Sequence, residues 1–138
     1  MLLRPTVGVT VPGYGKLGTV TVIYHIATVA DWEQALKDGE YTTSSRGRTL
    51  AEEGFIHAST AGQVTWVANS FYAGVTDLLL LVIDADRLGP TLRYDPVPGW
   101  DEPFPHIYGA LRPEAVVTAV PIEAGADGVF AFTPPTGG

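Results

Sequence analysis

The sequence predicts an α+β domain of about six strands and two main helices. Three observations carry that expectation. Val64, Val67, Ala68, Phe71 and Tyr72 recur at the spacing of one helical face. Leu78 to Ile83 is an unbroken apolar run between Asp77 and Asp84, which reads as a strand buried on both faces. The chain's three histidines each lie in a short apolar or aromatic segment that reads as strand: Tyr24-His25-Ile26, Phe55-Ile56-His57-Ala58 and Phe104-Pro105-His106-Ile107.

In chain order, residues 1–19 are punctuated by Pro5, Pro12, Gly13, Gly15 and Gly18. They show no sustained period and read as a flexible extension. The domain is expected over 20–132, with 133–138 as a flexible tail. Thr19 to Ala27 is a β-branched strand. Thr28 or Asp31 can cap the next helix, whose face is Val29, Trp32, Ala35 and Leu36 and whose stop is Gly39. Tyr41 to Arg48 reads as a polar loop, Leu50 to Glu53 as a short helix or turn, and Phe55 to Ala58 as a short strand. Thr60 can cap the helix that carries the 64–72 stripe. A turn at 86–89 leads to a strand at 91–94. Five prolines and glycines between 96 and 105 make a stiff loop, so the following strand is expected to begin near His106. Ala115 to Ile122 is a further strand, and Gly128 to Phe132 a candidate for one more.

Composition narrows the function classes. Fifteen acidic residues against eight basic give a net charge of −7, which argues against general nucleic-acid binding. The chain contains no cysteine, which removes disulfides, thiolate catalysis and cysteine zinc sites and fits a cytoplasmic setting. No apolar run approaches the ~20 residues of a membrane span, so no membrane association is expected.

Histidine is the side chain whose ordinary pKa lies near neutrality, and it can donate, accept or ligate. A metal is not expected, because the histidines sit on separate strands with no ligand spacing. Ser59 follows His57 by two residues, but no nucleophile elbow surrounds it. Each histidine alone is equally well read as a core residue tied to backbone. Three in strand-like settings point to a shared cleft. Trp32, Phe71 and Tyr72 read as core. Trp100, Phe104 and Tyr108 flank His106 and either pack or stack on a flat ring. Arg46 and Arg48 either face solvent or clamp phosphate oxygens. Glu52 and Glu53 read as solvent-facing, whereas Asp101 and Glu102 come shortly before His106 and close to its cleft.

A longer pattern resembles a known family. It comprises Ile23-Tyr24-His25-Ile26, Trp32, Gly39, Tyr41, Leu50-Ala51-Glu52-Glu53-Gly54-Phe55-Ile56-His57-Ala58-Ser59, Gln63, Val67-Ala68-Asn69, Phe71-Tyr72, Leu79 to Asp84, and Phe104-Pro105-His106-Ile107-Tyr108-Gly109-Ala110-Leu111. Over about residues 22–122 it is similar to the domain-of-unknown-function family numbered 952. That family resembles a compact branch of the ADP-ribosyltransferase fold, which implies a split, mostly antiparallel sheet with NAD held in its cleft. By this resemblance His25 holds a ribose hydroxyl, His57 with Ser59 lines the nicotinamide pocket, and His106 stands where a glutamate is usual. His57, His106 and Glu102 are then the catalytic candidates. Tyr24, His25, Ser59, Arg46, Arg48, Trp100 and Tyr108 are the candidates for binding NAD or another small nucleotide. The acceptor and the oligomeric state are open. The competing expectations are a non-catalytic binder of a small nucleotide or anion, and an interaction module without a ligand.

Overall fold

The computed structural model describes residues 20–136. The expected extension at 1–19 lies outside the described residues, as do the last two residues of the tail. The described part is a mixed α and β domain in which every strand pairing is antiparallel. Strands β1 (Val22–Thr28), β5 (Leu78–Asp84) and β8 (Val116–Ile122) form one sheet with β5 in the middle. Strands β4 (Ile56–His57), β7 (Phe104–Ile107) and β6 (Leu92–Asp95) form a second, with β7 central. Strands β2 (Thr43–Ser45) and β3 (Arg48–Thr49) make a small hairpin. The two larger sheets meet where Tyr24 and Ser59 exchange a pair of backbone hydrogen bonds, each 2.8 Å.

Strand alternation explains how the first sheet holds the fold together. Ile23 and Ala27 on β1, with Leu81 and Ile83 on β5, join one core cluster along with Ile56 and Ile107 of the second sheet. Tyr24 and Ile26, with Leu78, Leu80 and Val82, join a second cluster with Val64, Ala68 and Tyr72 of helix α3 (Val64–Phe71). The expected two-sided burial of the 78–83 run is therefore present, because β5 packs a cluster on each face. Fully burying one such aliphatic side chain stabilises by about 1.5–3 kcal/mol.

Helix α1 (Val29–Asp38) begins where Thr28 accepts from the Asp31 amide at 3.1 Å, and stops at Gly39 in the left-handed region, φ 83°. Helix α2 (Leu50–Glu53) is one turn, held by a capping box between Thr49 and Glu52. Among the described residues no helix is long and apolar enough to cross a membrane.

Five expectations are corrected. The polar 41–48 loop is a hairpin instead, turning at Gly47 with φ 74°, a conformation glycine adopts without a Cβ penalty. Strand β7 begins at Phe104 and contains Pro105. Proline is tolerated because β4 ends at His57, and the Pro105 carbonyl still accepts from the Ala58 amide at 3.1 Å. Thr60 does not cap α3: the N-cap is Gln63, and the Thr60 hydroxyl is buried without a partner. Phe71 is 58% exposed, because only Val64, Ala68 and Tyr72 of the stripe reach full burial. Residues 128–132 form no strand. There Asn69 donates to the Phe130 carbonyl and accepts from its amide, which stands in for ladder pairing.

Candidate functional site

The two sheets part around a cavity of about 560 Å³. Its walls hold all three histidines, together with Tyr24, Ser59, Arg46, Phe55, Trp66, Phe71, Tyr72 and Phe104. Register sets the central geometry. His57 on β4 lies directly opposite His106 on β7, and Arg93 on β6 lies opposite His106 on its other side. Side chains two apart on a strand share a face, so Phe55, Asp95 and Tyr108 project with this row.

His106 is 7% exposed and is the most constrained of the row. Its Nδ1 lies 2.7 Å from the Asp95 carboxylate, and its ring stacks on Phe55 with centroids 4.1 Å apart. Asp95 also accepts from the Tyr108 hydroxyl at 2.6 Å. Burial pulls the His106 pKa below its ordinary value, and the bond to Asp95 opposes that pull. The Asp95 carboxyl is held below its usual range, first by the Tyr108 hydroxyl and then by His106. The Tyr108 hydroxyl is pushed up in return by Asp95.

His57 stands edge-on to His106 with ring centroids 5.5 Å apart. Its side chain is 45% exposed, and Nε2 lies 3.3 Å from the Glu53 carboxylate. Glu53 also pairs with Arg48 at 3.3 Å. Contrary to the solvent-facing position expected of it, Glu53 ties α2 to both β3 and β4.

His25 is buried and locked. Nδ1 lies against the His57 carbonyl, which can only accept, so Nδ1 carries the proton. Nε2 then accepts from the Tyr41 hydroxyl at 2.8 Å. Desolvation lowers the His25 pKa to about 4. The same burial raises Tyr41 well above the usual phenol value. Tyr24 is tied down as well: its hydroxyl donates to the Pro135 carbonyl, and burial pushes it up to about 12.

The structure thus brings Tyr24, His25, Arg46, His57, Ser59 and His106 to one cavity. It places Glu102, Arg48, Trp100 and Tyr108 elsewhere. The Glu102 side chain is exposed, because the buried Gln63 amide pins the loop backbone through the Pro103 carbonyl at 3.0 Å and the Glu102 carbonyl at 3.4 Å. Arg48 is taken up by Glu53. Trp100 packs edge-to-face on Trp66 and Phe104, centroids 5.2 and 5.3 Å, and so backs two residues of the cavity wall without lining it. Tyr108 binds Asp95 beneath the Arg93 guanidinium, which lies 5.1 Å from its ring.

Asp95, Phe55, Trp66 and Tyr41 take parts that sequence reasoning missed. Phe55 and Tyr41 stood inside the resemblance pattern without an assigned role. Trp66 lies off the helical stripe and Asp95 only reaches His106 through strand register, so neither carried a local signal. Among the described residues no group of three or more histidines and carboxylates lies close enough to hold a metal ion.

Comparison with known proteins adds a family and a fold. Residues 26–119 match the family described as Protein of unknown function (DUF952). The fold is similar to the crystal structure of protein CC0527 from Caulobacter crescentus, with TM-score 0.73 and 32% identity over 80% of this chain and 94% of that one. The solution structure of CC0527 gives TM-score 0.66 and 31% identity, over 78% and 90% of the two chains. None of the curated proteins matches the sequence.

Proposed function

Because the chain belongs to the DUF952 family, whose function the name leaves open, we propose from the cavity's own chemistry that it binds a small nucleotide of the NAD or ADP-ribose class. The observation that carries this reading is the make-up of the cavity wall. Among the described residues Arg46 is the one lining residue with a permanent charge and it has no ion pair, and the remaining wall is mostly aromatic and aliphatic. Such a wall suits a ligand with flat rings and one anionic group. The volume falls within the range of about 300–1,000 Å³ typical of small-molecule sites.

NAD fits this donor set in part. Arg46 would hold the pyrophosphate, Ser45 and Ser59 offer hydroxyls for sugar oxygens, and Phe55, Trp66 and Phe71 offer ring faces. His25 would not take the ribose contact that the resemblance implies, because both its ring nitrogens are engaged. We assign it instead to positioning: it ties the His57 backbone to Tyr41. In ADP-ribosyl transfer the bond from ribose to nicotinamide breaks, and His57 and His106 are the groups at hand for the proton the acceptor loses.

A second reading, binding without turnover, is favoured by one observation: among the described residues no carboxylate lines the cavity to stabilise a developing sugar cation. Calorimetry and nicotinamide release together decide. NAD and ADP-ribose should bind, nicotinamide alone should bind weakly, and Arg46→Ala should weaken ADP-ribose about tenfold or more, from the 1.5–3 kcal/mol of a charge-assisted contact. If ADP-ribose produces neither heat nor a rise in melting temperature, the proposal fails. Binding with no nicotinamide release leaves the non-catalytic reading.

A further inference from the structure

We infer that Asp95, braced by Tyr108, makes His106 the proton acceptor for a hydroxyl group, water or an alcohol, bound in the cleft. This rests on the NAD reading above and names the acceptor chemistry that reading left open. The geometry leads there in three steps. A carboxylate can only accept from Nδ1, so His106 carries its proton on Nδ1 and presents a lone pair at Nε2. Nε2 has no hydrogen-bond partner among the described residues, and His106 lines the cavity. Asp95 is itself fixed by the Tyr108 hydroxyl, and the ring by its stack on Phe55. A neutral imidazole with one orienting carboxylate and one free nitrogen is a general base.

His57 is less suited. Its Nε2 already lies against Glu53, and its ring is about half open to solvent. The charged and titratable groups around His106 are Asp95, Arg93, Tyr108 and His57.

The step balances with one proton. The acceptor oxygen bonds to the ribose carbon as that carbon's bond to the nicotinamide nitrogen breaks. The bonding pair returns to the ring, which leaves neutral and needs no proton. The hydroxyl proton passes to His106 Nε2. Asp95 is a positioning residue here, since it acts through His106.

Two measurements test this. The first is the tautomer of His106 in the unliganded wild-type protein, from long-range nitrogen–proton NMR at pH 8. The Nδ1–H form is expected, and the Nε2–H form would overturn the inference whatever binds. The second is nicotinamide release from NAD against pH, in wild type and Asp95→Ala, with ADP-ribose affinity measured in parallel. Release in the wild type should rise with pH through the His106 titration. Because the bond to Asp95 raises the His106 pKa, its loss should move that rise to lower pH while the plateau falls about 10²-fold or more. A lower plateau with an unmoved rise marks a merely structural role and overturns the inference. ADP-ribose binding with no release at any pH overturns it too, but leaves the binding proposal standing. Failure of ADP-ribose to bind removes the binding proposal and this inference with it.

Discussion

Acidification should destabilise this protein through His25. The imidazole is buried, and its folded pKa of about 4 lies below the 6.5 of an unperturbed histidine. Above pH 6.5 both folded and unfolded chains hold it neutral, and it contributes no pH dependence. As pH falls below 6.5 the unfolded chain takes up a proton that the folded chain refuses, so stability drops. Below about pH 4 the folded chain also binds the proton and the loss levels off. At 1.36 kcal/mol per pH unit the gap amounts to about 3 kcal/mol in full, and about 2 kcal/mol at pH 5. That is a large share of the roughly 5–15 kcal/mol of a typical domain. The assay is urea unfolding at pH 7, 6, 5 and 4.5 for wild type and His25→Gln. Glutamine lowers the starting stability but removes the titration, so the pH slope is the readout. The wild type should lose about 2 kcal/mol more than the variant between pH 7 and 5. Parallel slopes would refute the reasoning, as would an NMR titration of His25 near 6.5.

Tyr41→Phe should cost about 1–3 kcal/mol, because it strands the buried Nε2 of His25 without its donor; a denaturant midpoint unchanged from wild type would contradict the tautomer assigned to His25. Leu81→Ala empties a fully buried position at the centre of β5 and should cost about 2–5 kcal/mol, read from the same urea curves. A loss below 1 kcal/mol would mean that the two clusters close over the gap.

Elements with strong local signals are legible in the chain alone. The 64–72 stripe is a helix because its apolar spacing matches the helical period. The 78–83 run is a central strand because only a two-sided core accepts six apolar side chains in a row. Thr28 and Gly39 bound α1 through hydrogen bonding and backbone conformation that belong to those residues alone. The strand setting of the three histidines was legible for the same reason.

Tertiary structure decided what each histidine can do. The 43–49 hairpin carries no apolar alternation, so its pairing had no signature in the chain. Phe71 and Val64 share a stripe, yet Phe71 lines the cavity and stays exposed while the core takes Val64. The His57–His106 pairing and the reach of Asp95 to His106 follow from cross-strand register, a relation between segments distant in sequence. His25 reads as an equal of the other two until its ring nitrogens meet the His57 carbonyl and Tyr41, thirty-two and sixteen residues away. Local periodicity specifies which face a side chain occupies. The hydrogen-bond partner that fixes its proton comes from another strand, and only the folded chain brings the two together.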